Sequence, residues 1–290
     1  MTGVCAKTRS GVSYILRRGP GPALVFLHGI GSNARSFQPL FDLLPAHFHL
    51  LAWNAPGYLN SDPSENPWPL AADYARSLAG FLDDLAISKV HLVGHSLGTL
   101  IAAAFARHFP DRLHSLTLVS AANGYGVAQD GDMPAKVAAR IADLNTLGPV
   151  AFATSRAASL IHEPNDNKTA VAAVATTMAE VNPKGYAQAV RLLASGDLPA
   201  DLVHVNARPN FVVALKDRVT PPEHAYAAAA AWERAHAGQA HVVTIEQAGH
   251  AVYVQKPVEF CAALMECLPD FPARVPEPEN HEETQDAPDS

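Results

Sequence analysis

Cysteine is scarce in this chain, with three residues in 290: Cys5, Cys261 and Cys267. They form no C-x-x-C pair and no disulfide framework. Cys261 and Cys267 lie six residues apart on one predicted helix and so point in different directions. This usage sets aside an extracellular disulfide scaffold and makes a reducing, cytoplasmic setting the expectation. Long apolar runs are also missing, since none approaches the roughly 20 residues needed to cross a bilayer. Residues 1–10 show no basic segment followed by an apolar core, so no secretory signal is expected. The patterns H-E-x-x-H, C-x-x-C, G-x-x-x-x-G-K-S/T and G-x-G-x-x-G are all absent, so neither a metal nor an organic cofactor is implied.

Charged residues make up 17% of the chain, with a net charge of −7. Most of that charge sits at one end. From Asp270 to Ser290 there are seven acids and one arginine, a net −6, which leaves about −1 for everything before. A body so close to neutrality is no evident binder of nucleic acid or acidic membrane. Residues 270–290 carry four prolines and only two sizeable apolar side chains, Phe271 and Val275, so they are expected to form a disordered acidic tail, solvated or open to a partner.

The chain before the tail alternates strand and helix patterns. Val12–Leu16 alternates like an early antiparallel strand, and Ala23–Leu27 is a short continuous apolar run, as in a strand buried on both faces. Ser36–Leu44 reads as a helix, Phe48–Trp53 as a strand and Leu70–Leu85 as an amphipathic helix. Lys89–Val93 and Leu113–Val119 read as further strands. This rhythm implies an α/β fold, a mostly parallel sheet with helices on both faces, with residues 1–120 as the first part of its core. From about 121 to 208 the rhythm stops. Ala-rich helical stretches at 136–147, 150–160, 169–181 and 184–194, punctuated by prolines and glycines, suggest an inserted helical cap. The rhythm returns over 209–269, with strands at 211–215 and 241–245 and helices at 222–236 and 251–268.

One pentapeptide carries most of the functional information. Gly94-His95-Ser96-Leu97-Gly98 is a G-x-S-x-G elbow between an apolar strand and an apolar helix, the context that exposes a serine hydroxyl above the sheet. A serine needs a base. His250, on the loop between a predicted strand and helix, falls where active-site loops of an open parallel sheet gather. Asp217 follows the strand ending at Leu215 and reads either as the acid that orients His250 or as a turn former or helix cap beside Pro221 and Pro222. The order Ser96, Asp217, His250 favours the acid. Asp130 and Asp132 are the rival carboxylates, and both lie far along from the strand end near Val119. The oxyanion donors are expected from the backbone N–H groups of Leu97 and Ile30, the latter in His28-Gly29-Ile30-Gly31 directly after the first buried strand. His28 reads as a structural residue of that loop.

These motifs together resemble the α/β-hydrolase family, over roughly residues 12–268, and most nearly its small capped members: esterases, enol-lactonases and carbon–carbon bond hydrolases. Two departures stand out. Where many relatives have D-x-x-G-x-G-x-S, this chain has Asn54 for the aspartate and Leu59 for the second glycine. The hydrogen bonding of that loop is therefore expected to differ, and Leu59 to narrow the pocket. Serine rather than aspartate at 96 argues against dehalogenase and epoxide-hydrolase chemistry.

The resemblance implies a serine hydrolase acting on a small ester, lactone or enol-lactone. A carbon–carbon hydrolase, a thioesterase and a hydrolase-fold binding receptor are the alternatives. Gly29, Tyr125, Met133 and Tyr186 are the candidate substrate contacts, with Asn123 and Phe152 near them. Arg140, Arg156 and Arg191 are either receivers of a substrate carboxylate or members of solvated helix faces.

Overall fold

A computed structural model describes residues 3–268 of the chain. The acidic tail expected at 270–290 lies outside the described residues. The architecture is an α/β sheet of eight strands among those residues: β1 (Val4–Lys7), β2 (Ser13–Arg17), β3 (Ala23–Leu27), β4 (His49–Trp53), β5 (Val90–His95), β6 (Leu113–Val119), β7 (Pro209–Ala214) and β8 (His241–Ile245). Their spatial order is β1-β2-β4-β3-β5-β6-β7-β8. The first three pair antiparallel and every later pair is parallel.

The central strands are apolar because both sheet faces are covered. Alternate residues of β3 enter separate cores, as the two-residue period of a strand requires. Val25 and Leu27 join α1 (Ala71–Asp84), α2 (Leu97–His108) and α7 (Pro222–Ala235) on one face. Leu24 and Phe26 join a 3-10 helix (Ala34–Asp42) and helices α8 (Val252–Gln255) and α9 (Pro257–Glu266) on the other. Phe26, fully buried, stacks on Phe37 with ring centres 5.1 Å apart.

Three expectations are corrected in detail. The helix expected at 36–44 is a 3-10 helix from Ala34, because Pro39 removes a backbone donor and Asn33 caps the start by accepting from the Arg35 amide. The single helix expected over 251–268 is two, because Pro257 excludes helical geometry at Lys256, whose φ is −132° and ψ 60°. β1 was not expected: Val-Cys-Ala-Lys is short and mostly exposed, with no pattern to mark it.

Between β6 and β7 the chain forms α3 (Ala135–Arg156), α4 (Lys168–Met178), α5 (Pro183–Ser195) and α6 (Leu198–Leu202). α3 bends sharply at Gly148, whose φ of 72° and ψ of 162° belong to a region open in practice only to glycine. Pro149 follows and cannot continue the hydrogen-bond ladder. Space is not the constraint there, since a Cβ on Gly148 would meet nothing within 4 Å.

Candidate active site

The sharp turn after β5 puts Ser96 at φ 52° and ψ −115°, a strained conformation for a residue with a side chain. The turn closes only because its flanks lack Cβ atoms. A Cβ on Gly94 would lie 2.3 Å from the Gly98 carbonyl oxygen, and one on Gly98 would lie 2.4 Å from that of Leu27. The Ser96 amide donates to the Val119 carbonyl at 2.9 Å, tying the turn to the neighbouring strand. Its carbonyl accepts from the Thr99 amide at 2.9 Å and the Thr99 hydroxyl at 2.6 Å. The Ser96 hydroxyl is left over. It makes no hydrogen bond to any described residue, His250 included, and it faces a cavity that both residues line.

His250 and Asp217 meet as the sequence suggested. His250 Nδ1 lies 2.8 Å from Asp217 Oδ2. A carboxylate only accepts, so Nδ1 carries the proton and Nε2 is the ring nitrogen left free. Asp217 is itself fixed: its Oδ1 accepts from the amides of Val219 (2.8 Å) and Thr220 (2.9 Å). The Thr220 hydroxyl lies 2.9 Å from Asp217 Oδ2 and 3.1 Å from His250 Nδ1. Burial pushes the Asp217 carboxyl up, but the facing imidazole, its hydrogen bond and the two amides outweigh it, and the pKa falls to about 2. Asp217 is thus both a turn residue and the partner of His250, while Asp130 and Asp132 do not line the cavity.

Sequence reasoning gave no role to His95, and the structure gives it a central position. Its Nε2 lies 2.9 Å from the His250 carbonyl oxygen, which also accepts from the Ser120 hydroxyl at 3.2 Å. A carbonyl only accepts, so the His95 proton is on Nε2. The two rings sit 4.9 Å apart. Its Nδ1 is buried with no partner among the described residues. Burial first, and the neighbouring His250 second, lower the His95 pKa to about 3. The elbow residue before Ser96 therefore holds the backbone of His250 and stays neutral.

The loop after β3 is built to present one amide. His28 Nδ1 donates to the Gly29 carbonyl at 2.8 Å, and the Ser32 amide donates to the same oxygen at 3.1 Å. The carbonyl and N–H of a trans peptide point in opposite directions, so turning the Gly29 carbonyl toward His28 turns the Ile30 N–H away from it. Neither the Ile30 nor the Leu97 amide donates to a described residue. His28 Nε2 accepts from the Ala55 amide at 3.0 Å, so both ring nitrogens are committed in the neutral form, and burial lowers the pKa to about 4. A Cβ on Gly29 would lie 3.1 Å from Ser96 Cβ and 3.0 Å from His95 Nδ1, which shows how closely loop and elbow approach.

The cavity encloses about 1040 Å³. Of the expected contacts, Gly29, Ile30, Leu97, Asn123, Tyr125, Phe152 and Tyr186 line it, as do Arg140 and Arg156. Met133 does not; it is half-buried and packs against the larger core. Arg191 does not either, and donates instead to the Pro67 carbonyl at 3.1 Å. Leu59, with a left-handed φ of 46°, is also outside the lining and narrows nothing. The Asn54 substitution has a clear use: Oδ1 accepts from the Ala34 amide and Nδ2 donates to the Ser13 hydroxyl, each at 2.9 Å, and an aspartate has no donor for the second bond.

A family model described as the alpha/beta hydrolase family matches residues 24–264. The chain belongs to the alpha/beta hydrolase family. Among solved structures of this fold, an enol-lactonase from Burkholderia xenovorans superposes with a TM-score of 0.78 at 19% identity, covering 91% of this chain and 99% of that one. An esterase from Thermogutta terrifontis superposes with a TM-score of 0.77 at 22% identity, covering 92% and 97%. Among curated relatives, a pimeloyl-(acyl-carrier protein) methyl ester esterase from Aeromonas salmonicida is 40% identical over 107 residues, 36% of this chain and 39% of its own. The curated relatives are matched over only 32% to 39% of their length. No helix of the described residues is long and apolar enough to cross a membrane.

Proposed function

We propose that the chain is a serine hydrolase of small carboxylic esters, lactones or enol-lactones. The observation that carries this reading is the 2.8 Å contact of His250 with a deeply held Asp217, beside the cavity onto which the elbow turns Ser96. His250 Nε2 takes the Ser96 proton as the oxygen attacks the acyl carbon. The imidazolium then gives that proton to the leaving alkoxide, leaving an acyl ester on Ser96. A water molecule, deprotonated by the same nitrogen, hydrolyses the ester and restores the hydroxyl. Asp217 keeps the proton on Nδ1 and steadies the imidazolium. The Leu97 N–H at the start of α2 and the Ile30 N–H supply the two donors for the tetrahedral oxyanion. Helices α3 to α6 serve as the cap that closes the cavity. The Ser96–His250 hydrogen bond, not made among the described residues, forms when substrate fills the space, as catalytic contacts commonly tighten on binding.

The test is covalent labelling with a fluorophosphonate followed by peptide mass analysis, together with turnover of short p-nitrophenyl esters. Ser96 is the expected adduct site, and Ser96→Ala is expected to lower kcat on the order of 10⁶-fold. An intact chain that neither labels at Ser96 nor releases p-nitrophenol overturns the reading. A vinylogous diketone assayed beside the ester reports carbon–carbon cleavage directly.

A further inference from the structure

The cavity is unusually cationic for the body that holds it. Residues 1–269 carry a net charge of only about −1. Yet Lys136, Arg140, Arg156, Lys216 and Arg218 all line the cavity, against one lining carboxylate, Glu163. Most of these cations are already engaged or solvated. Arg156 pairs with Asp143 at 2.6 Å and lies over the Phe152 ring at 4.6 Å. Lys136 lies over Tyr125 at 5.3 Å. Lys216 and Arg218 are exposed residues beside Asp217.

Arg140 is different. It is half-buried, and among the described residues it pairs with no carboxylate. It lines the cavity near Tyr186, a ring only 2% exposed and set edge-on to Phe152 with centres 5.4 Å apart. A guanidinium offers five N–H donors in a fixed fork. It makes no hydrogen bond of ordinary length and angle to any described residue, so these donors are open to a ligand. A half-buried cation near a rigid aromatic ring, in a cavity otherwise walled by groups such as Val174, Met178 and Leu193, is complementary to an anion at the end of an apolar chain.

We propose that Arg140, in the cavity wall with Tyr186, receives a free carboxylate at the end of the substrate remote from the scissile bond, so that the ester or lactone cleaved here bears a second, unesterified acid group. This rests on the hydrolase reading above and names the substrate class for it. Arg156, brought back beside Asp143 by the break in α3, adds to the field without being the primary contact. Lys216 and Arg218 steer anions to the mouth.

The experiment compares mono-p-nitrophenyl adipate and suberate, each with a free carboxylate, against neutral p-nitrophenyl alkanoates of matched length. A charge-assisted contact predicts that the better anionic ester leads its neutral match in kcat/KM by a factor of about 10 to 100, carried mainly by KM and shrinking with added salt. Arg140→Gln is expected to bring that ratio to within about twofold of unity, and Arg140→Lys, which keeps the charge but loses the fork, to leave an intermediate ratio. The subsite is overturned if neither anionic ester outruns its match, or if Arg140→Gln leaves the ratio intact. Calorimetric titration of free adipate and suberate into Ser96→Ala separates this result from failure of the hydrolase reading. Binding weakened about tenfold by adding Arg140→Gln supports the subsite even without turnover. No heat from either acid refutes the subsite while leaving Ser96 labelling to decide the chemistry.

Discussion

Two buried histidines make the fold acid-sensitive in a calculable way. In the unfolded chain each titrates near the ordinary value of 6.5, whereas in the fold His28 falls to about 4 and His95 to about 3, burial being the main cause in both. A second proton on His28 breaks the Ala55 hydrogen bond, and one on His95 lands on a buried Nδ1 with no acceptor among the described residues. Below 6.5 the unfolded chain therefore binds protons that the native one refuses, and stability falls with pH until the folded pKa is reached. Between about pH 8 and about pH 5 the loss is about 2 kcal/mol per histidine, about 4 kcal/mol for both. Urea unfolding of the native chain and of His95→Gln at those two pH values isolates one term. Glutamine retains a donor for the His250 carbonyl but has no proton to gain. The variant is expected to be less stable at the higher pH, through lost packing, and that deficit is expected to shrink by about 2 kcal/mol at the lower one. A deficit equal at both pH values means that His95 accepts its proton freely in the native state, and the burial argument fails.

Asp217→Asn is expected to lower kcat roughly 10⁴-fold by presenting an amide that no longer fixes the His250 tautomer; ester turnover within about threefold of the native chain removes Asp217 from the triad. Gly148→Ala forces a methyl group into a backbone region reserved for glycine and is expected to cost about 2 kcal/mol, read from the urea midpoint, although no atom obstructs the methyl. An unchanged midpoint means that α3 straightens without penalty.

Much of the fold was legible because its signals are local. Ala23–Leu27 and the 113–119 run declare buried strands by composition alone. The elbow declares itself by two glycines whose missing Cβ atoms the turn requires. His250 and Asp217 were legible from position, each on a loop beyond a strand end. The residues that escaped are those whose meaning lies in what faces them. His95 looks like a variable position inside G-x-S-x-G, and only the fold brings its ring under the His250 carbonyl. Thr220 looks like a loop residue until its hydroxyl is seen against both Asp217 and His250. Met133 and Arg191 failed as pocket residues for the same reason: helical spacing tells which residues share a face, not which wall that face covers. Arg140 and Arg156 were indistinguishable from solvated arginines in the sequence, and three-dimensional proximity to Tyr186 sets them apart.

The bend at Gly148 reaches further than its one residue. Arg140 and Arg156 stand sixteen positions apart, and along an unbroken helix that is a rise of about 24 Å, roughly the width of a small domain. Folded back at the glycine, the two arms bring Arg156 within 2.6 Å of Asp143, three residues on from Arg140, and put both guanidinium groups in the wall of one cavity. The angle between the arms thus sets how far apart two positive charges stand and, for the acid-bearing ester we propose, the length that fits between them and the serine. A change that opens or closes this angle would retune substrate length without touching any residue of the elbow.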